Sequence, residues 1–392
     1  MRNTSLLLLL VLATAVSAPA QRDIGSVEVV SEGRTLPVRV SGDTYALNAL
    51  ALQAFGSHGR YHLVASGYLY DIRFSAAGPE QVRVDVTRAG DAWSETVAGT
   101  SQRNALLRAA DAAVVRTNGL GLRGYFASKL AFIGERTGHQ EVYVGDLFFG
   151  EVRQITNDRA IALKPRWSPD GQRIVYTSYY HSGFPDIFLM DLSSYQRMTL
   201  ASFRGTNSGA RFSPDGRRVA MVLSGEGSSE IYVSDAEGRG ISRRTRYESV
   251  KASPCWSPDG SRIVFASEPG PQLYMMSAGG GAPVRITSGI SSYCAEPDWS
   301  RGNPDRIAFT ARVGRNYQIA VLSLSDHGSR IASRAPFDGL EPSWLPDGRH
   351  IVYTARTAYA SRVCILDTET GKSVPVSPSG FGPALQADVL SR

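Results

Sequence analysis

The side chains with chemistry to offer recur at regular intervals. Asp170, Asp215, Asp259, Asp305 and Asp347 each follow a proline directly. Read alone, they resemble a ring of carboxylates around an ion. Their local sequence gives a different account. In Ser-Pro-Asp-Gly the proline presets φ, the aspartate bonds back to nearby backbone and the glycine takes the strained exit position. Turn formation accounts for these aspartates, and no metal is expected on them. Of the six histidines, His58, His62, His139, His181, His327 and His350, only His58 and His62 are close in sequence. That pair stands in a glycine-containing loop and is expected to be solvated rather than metal-bound. Cys255, Cys294 and Cys364 are an odd number and give no disulfide framework. They read as small buried hydrophobes, with a Cys255–Cys294 bridge as the lesser alternative. No Gly-x-Ser-x-Gly elbow occurs, and no residues remain for a hydrolase domain. Without a coherent catalytic set, a binding function is expected and not an enzyme.

The elements that must position these residues follow from their spacing. The aromatics before the turns, Trp167, Phe212, Trp256, Trp299 and Trp344, are 45, 44, 43 and 45 residues apart. A period of that size marks a repeat architecture. Each anchor ends one strand and is expected to pack in the core. A second strand starts at once, as in Ile174-Val175-Tyr176 and Ile263-Val264-Phe265, preceded by Arg173, Arg218, Arg262, Arg306 or His350. A third strand follows a variable loop, three times running into Asp191, Asp235 or Asp367. A short fourth follows, as in Arg285-Ile286-Thr287 and Gln154-Ile155-Thr156. Four short strands bounded by turns describe a propeller blade. A sixth copy at residues 129–156 lacks its innermost strand, and residues 381–390 stand where that strand would fall. The expected fold is therefore mainly β. It is a six-bladed β-propeller of four-stranded blades, closed when the C-terminal strand pairs into the first blade, which leaves no open sheet edge.

Residues 1–20 read as a secretory signal: Met1-Arg2, an apolar run over 6–16 too short to span a bilayer, and cleavage after Ala20. Export to the periplasm is expected, with an uncleaved membrane tether as the lesser alternative. Residues 21–122 carry no repeat. They suggest strands within 26–40, 67–74, 81–87 and 92–98, a helix over 44–55, and a second helix capped by Thr100 or Ser101 and stopped by Asn118-Gly119. This is a small α+β domain, with the propeller filling 123–392. The net charge of +6 is scattered, without the basic stripe of a nucleic-acid-binding protein.

A small α+β domain followed by six such blades resembles the TolB family, the periplasmic components of Tol-Pal envelope systems. The junction Gly119-Leu120-Gly121-Leu122-Arg123-Gly124-Tyr125-Phe126 and the closing Phe381-Gly382-Pro383-Ala384 are similar to that family as well. Residues 24–40 are shorter than the family's N-terminal segment and lack its Pro-Ile-Gly-Val-Val-Pro-Phe-like strand. The resemblance implies a monomeric scaffold without cofactors. Its channel mouth would dock a Pal-like peptidoglycan-associated lipoprotein, and its small domain would meet a TolA-like inner-membrane protein, in envelope integrity and cell division. Glu296 and Glu341, in Glu-Pro-x-Trp copies, match the pattern that places carboxylates at the partner surface, with Lys164, Arg211 and Lys251 as further rim candidates. Opposite charges around one opening would select a polar partner by complementarity; a solvated charge beside a turn is the plainer account. The alternative function is an exported propeller acting as a polysaccharide lyase or a sugar-binding protein. A lyase of that kind would gather histidines, acids and a metal in the channel.

Overall fold

The smaller of two layers of structure begins with β-branched residues at alternate positions. In Gln81–Arg88, Val82, Val84 and Val86 are all buried while the residues between them face outward, as a half-buried strand requires. In the computed structural model, which describes residues 35–287 and 289–390, this strand (β4) belongs to a five-stranded sheet. Its other members are β1 (Leu36–Gly42), β2 (Tyr61–Leu63), β3 (Tyr70–Gly78) and β5 (Asp91–Ala98), in the order β2-β1-β3-β4-β5. β1 runs parallel to β2 and β3, and the rest is antiparallel. Helices α1 (Tyr45–Ser57) and α2 (Gln102–Thr117) cover its buried face through Leu47, Leu50, Phe55, Leu106, Leu107 and Val114. Each helix starts on a side-chain cap: Thr44 Oγ1 accepts from Leu47 N at 3.2 Å and Ser101 Oγ from Asn104 N at 3.1 Å. Ser101, not Thr100, is thus the second cap. The expected signal segment, and any strand before residue 35, lie outside the described residues.

Six four-stranded sheets follow as a closed ring. Their innermost strands are Ala384–Leu390 in blade 1, then Ala162–Trp167, Asn207–Phe212, Lys251–Trp256, Cys294–Trp299 and Asp338–Trp344 in blades 2 to 6. The C-terminal strand pairs with Lys129–Gly134 from Ala384↔Gly134 to Leu390↔Lys129 and closes the first blade. The repeated turns are held as their composition demands. In blade 4, Ser257 Oγ donates to Asp259 Oδ1 (2.5 Å), Ser261 N donates to the same oxygen (3.0 Å), and Gly260 takes φ +70°. The Ser257 hydroxyl, followed by the Ser261 N–H and hydroxyl, lowers the Asp259 carboxyl to about 2. The same geometry holds Asp170 and Asp215. Trp167, Trp256, Trp299 and Trp344 are buried between blades.

Three of the basic residues after the turns also have a purpose. Arg173, Arg218 and Arg262 lie over the anchor ring of the next blade, Phe212, Trp256 and Trp299, at 5.3, 4.6 and 4.9 Å from its centroid. The fourth strands are shorter than expected. Val152–Gln154 and Val284–Arg285 stop before the Ile-Thr pair, because the threonine hydroxyl turns back to the third strand. Thr156 Oγ1 accepts from Val142 N at 2.9 Å and donates to Glu141 at 2.6 Å; Thr287 does the same with Leu273 and Gln272.

Candidate functional site

Each innermost strand carries one extra residue where it lines the bore. The pairing with the second strand slips at that point in all six blades. The residue in the bulge takes a left-handed conformation: Lys164 (φ +51°), Gly209 (+63°), Ser253 (+52°), Glu296 (+55°), Glu341 (+57°) and Gln386 (+55°). A β-bulge re-aims one side chain and bends its strand. Six of them at one height build a ring of side chains at one end of the bore. The positive φ costs each non-glycine residue on the order of 1 kcal/mol, so the conformation is imposed by the ring.

The ring is wired head to tail on its acidic side. Thr310 Oγ1 donates to Glu296 Oε2 (2.7 Å), and Glu341 N lies 3.2 Å from the same oxygen. Glu341 Oε2 accepts from Thr354 Oγ1 (2.9 Å) and Oε1 from Gln386 Nε2 (2.8 Å), while Gln386 Oε1 accepts from Lys164 N (2.7 Å). Burial, then the neighbouring Glu296 charge, raises the Glu341 carboxyl above its usual range.

Two residues further along each strand lies a second ring: Arg166, Arg211, Cys255, Asp298, Ser343 and Asp388. Arg166 pairs with Asp388 at 2.8 Å and Arg211 with Asp298 at 2.7 Å. The acceptors of this ring take the main-chain N–H of the next blade's anchor position. Trp167 N donates to Asp388 (2.8 Å), Trp344 N to Asp298 (2.7 Å), Trp299 N to Cys255 Sγ (3.3 Å) and Val389 N to Ser343 (3.1 Å). The ion pairs therefore close the bore and stitch the blades together. Between them and the tryptophans remains a cavity of ≈ 60 Å³, room for a few waters at most.

Four of the five expected rim residues come together here. Lys164, Glu296 and Glu341 sit on the first ring and Arg211 just beneath them. Lys251 does not join them. It is fully buried, with Nζ 3.0 Å from Glu230 Oε2, donating to Ser249 O (2.7 Å) and Tyr247 O, and lying 3.8 Å from the Tyr247 ring centroid. Position 251 opens its strand, two residues before the bulge, and its side chain satisfies a buried glutamate. Sequence reasoning missed the rest of the mouth. The loops that share this face, tied by Tyr179 N to Ile161 O (3.0 Å) and Glu268 N to Val250 O (3.0 Å), expose Ile161, Tyr180, Phe184, Phe203, Phe337 and Tyr359. Phe184 is 69 % and Tyr359 97 % exposed. The run Tyr179-Tyr180-His181-Ser182-Gly183-Phe184 was the available signal.

A second cluster lies on the opposite face, where the small domain sits. His58 is not a solvated loop residue. It is fully buried, stacked on Tyr125 (5.3 Å) and edge-on to His350 (4.3 Å), while His62 is exposed. His350 Nδ1 meets Asp347 Oδ2 at 2.6 Å; its Nε2 lies 3.4 Å from Asp367 Oδ2 and 3.2 Å from Gly59 N. Burial pushes the imidazole down, but Asp347 and Asp367 override it and raise it to about 9. The imidazolium therefore bridges two carboxylates, and Gly59 N–H becomes a donor to Nε2 only in the neutral ring. Asp367 is also held by Arg349, Nη2 to Oδ2 at 2.6 Å.

Two departures from the repeat build this joint. Leu345 replaces the turn serine and enters the core shared by both domains. His350 replaces the ladder arginine, since the next blade offers Val389 and no aromatic ring. His58, Asp347 and His350 are the one group with ligand atoms near enough for a metal among the described residues. Arg60 N donates to His58 Nδ1 at 3.1 Å, which leaves the proton on Nε2, so His58 is not set as a ligand. Elsewhere on the joint, Asp111 of α2 accepts from Phe126 N (2.6 Å) and Ala127 N (3.1 Å), and burial still pushes its carboxyl up to about 7. Arg103 forks onto Asp146 at 3.0 and 3.2 Å. The three cysteines are free and buried.

The PD40 family, described as the TolB beta propeller domain, matches residues 119–380. The chain is 29% identical over 260 residues to the Tol-Pal system protein TolB of Bordetella pertussis, which covers 65% of this chain and 56% of that protein. It thus spans little more than half the length of this curated relative. The crystal structure of TolB from Acinetobacter baumannii superposes with a TM-score of 0.78 at 22% identity, over 91% of this chain and 97% of that one. The structure of a TolB from Agrobacterium tumefaciens does so at 0.52 and 20% identity, over 64% and 88%. At these identities the structural likeness concerns the fold.

Proposed function

Since the chain belongs to the TolB beta-propeller family, we propose that it is a non-catalytic periplasmic scaffold of a Tol-Pal envelope system. In this reading the mouth ring docks a Pal-like peptidoglycan-associated lipoprotein, and the small domain meets a TolA-like protein of the inner membrane. The protein links the two in envelope integrity and cell division. The observation that carries the reading is the mouth itself. Glu296 and Glu341 stand side by side at the floor of a rim of exposed aromatic and aliphatic side chains, over a bore closed by ion pairs. A polar, partly charged centre within an apolar surround suits a macromolecular partner, which would bury the rim and set a cation or N–H donors on the carboxylates. A small substrate would find little enclosed volume there. No helix among the described residues is long and apolar enough to cross a membrane, in keeping with a partner that supplies the membrane attachment.

The test is capture from an envelope extract. The mature chain should retain a Pal-like lipoprotein, and Glu296→Lys combined with Glu341→Lys should lose it while the thermal transition stays within a few degrees. Retention undiminished by both reversals would remove the mouth from the mechanism.

A further inference from the structure

A collar of arginines surrounds the mouth. Arg159, Arg204, Arg246 and Arg334 stand in the loops that enter the innermost strands of blades 2, 3, 4 and 6. Arg136 and Arg315 stand in the turns between the second and third strands of blades 1 and 5. All six are exposed, and among the described residues none of them takes part in an ion pair. Acids on the same face compensate only some of them. Glu248 and Glu268 are exposed beside Arg246 in blade 4, and half-buried Glu135 precedes Arg136 and bonds Gln140 at 2.9 Å. Glu226 is paired with Arg243 at 2.9 Å and Asp158 with Arg197 at 2.7 Å. On blades 2, 3, 5 and 6 the collar is therefore positive. Inside it, the first ring sets Glu296 and Glu341 against the single Lys164.

The loops that carry these arginines are held from below by buried side chains, so their course is set before a partner arrives and little ordering is left to be done on docking. Glu141 accepts from Arg159 N at 2.8 Å. Asn207 donates from Nδ2 to Phe203 O (2.7 Å) and to Pro185 O (3.1 Å), which fastens the loop of Arg204 to that of Phe184. Gln318 accepts from Ala335 N (2.8 Å) and donates to Phe337 O (3.2 Å) just beyond Arg334. Arg315 sits in the two-residue turn between Val313 and Asn316. The same loops expose Phe184, Phe203 and Phe337. The charges thus stand among apolar surface that a partner would cover, where ion pairs are screened less than in open solvent.

We propose that the partner docks through a face whose charges mirror this one: a basic or donor-bearing projection meets Glu296 and Glu341, and an acidic border around it meets Arg159, Arg204, Arg315 and Arg334. The proposal rests on the mouth being the docking site. Guanidinium and carboxylate match as planar forks, so the border fixes how the partner is turned on the ring. Exposed pairs of this kind act on encounter and orientation more than on the strength of the finished complex. A flat anionic lipid surface would satisfy the arginines but would leave Glu296 and Glu341 facing charge of their own sign. An acidic protein face with a basic projection satisfies both.

Stopped-flow association of the mature chain with the same organism's Pal-like lipoprotein, prepared without its lipid, tests it. The association rate constant should fall about tenfold or more between about 0.05 and 0.5 M salt, while dissociation changes less than about threefold. At the lower salt Arg204→Glu should slow association about threefold or more, and Arg159→Glu, Arg204→Glu and Arg334→Glu together about tenfold or more. Arg217→Glu makes the same change of charge in the turn at the opposite end of blade 3 and should alter the rate less than about twofold. Equal slowing by Arg204→Glu and Arg217→Glu would assign the effect to net charge and overturn the proposal. Association insensitive to salt and to the triple reversal would overturn it as well, and docking at the mouth would stand in both cases. No association at any salt would overturn the docking reading and the proposal with it. Vesicles of phosphatidylglycerol and phosphatidylcholine complete the test. Binding to them that the triple reversal abolishes, with association to the lipoprotein unchanged, would assign the arginines to a membrane and overturn the acidic border.

Discussion

Replacing His350 by glutamine removes the cation from the interdomain joint while keeping an N–H donor for Asp347. The ring is fully buried between Asp347 and Asp367, 2.6 and 3.4 Å away. Its pKa is raised from 6.5 to about 9 in the folded chain, which corresponds to about 3 kcal/mol of folding free energy. A cation favoured by the folded state contributes fully below its unfolded pKa of 6.5, and the contribution disappears as pH rises through about 9. Asp111, raised to about 7, acts in a lower window: a buried acid that prefers its proton costs stability as pH rises through the range up to 7. Comparing variant with parent at each pH cancels that background. Urea unfolding followed by tryptophan fluorescence reports both domains, through Trp93 in β5 and the blade anchors. The His350→Gln chain should be less stable by about 3 kcal/mol near pH 6, and the gap should close to under about 1 kcal/mol by pH 9.5. A gap of the same size at both ends would show that the joint is held by packing alone and refute the bridging imidazolium.

Gly59→Ala should loosen the same joint without removing a charge. A Cβ there would overlap the Asp367 carboxylate, and differential scanning calorimetry should register a loss of about 1–3 kcal/mol. Asp298→Ala leaves the buried Arg211 with only its longer, 3.9 Å contact to Asp388 and its bond to Cys255 Sγ, and the Trp344 N–H without its acceptor. A fall of about 3–5 kcal/mol in chemical denaturation is expected, against about 1 kcal/mol or less for Asp85→Ala in the exposed pair with Arg83. All three thiols should resist a thiol reagent in the folded chain and react in urea, because each is buried and burial raises each of them; rapid labelling of even one in buffer would contradict the packing.

The ring was legible in the sequence because its signals are local and repeated. Ser-Pro-Asp-Gly encodes its own turn, the anchors keep their spacing, and the missing inner strand of the first copy predicts a closing strand within 381–390, found at Ala384–Leu390. The mouth was legible in part. Glu296 and Glu341 stood out through the following Pro-x-Trp, but nothing in the chain distinguishes Lys251, which opens its strand, from Lys164, which occupies a bulge. The bulge is a property of pairing between strands, and it becomes visible only as a slip of register. The buried state of His58 was hidden for a related reason. Its loop has a solvated composition, and its burial depends on Tyr125 and His350, which are distant in sequence and brought together by docking of the two domains.

The breaks in the repeat locate the functional surfaces. A ring of identical blades would carry an arginine on every ladder rung, an aromatic at every anchor and the same residue in every bulge, and it would have no preferred side. Here the closing strand supplies Val389 where an anchor aromatic belongs, so the sixth rung has no ring to cover. That position, His350, is released to meet the small domain, and Leu345 takes the place of the serine that would otherwise hold Asp347 in its turn. At the other end of the bore, the same closing strand supplies Gln386, which orients one oxygen of Glu341 and ties it to Lys164. Both surfaces thus follow from closing the propeller with a strand unlike the other five. His350 and Thr354 share the strand His350–Arg356, so the joint and the mouth are fastened to opposite ends of one short, fully paired element in blade 6.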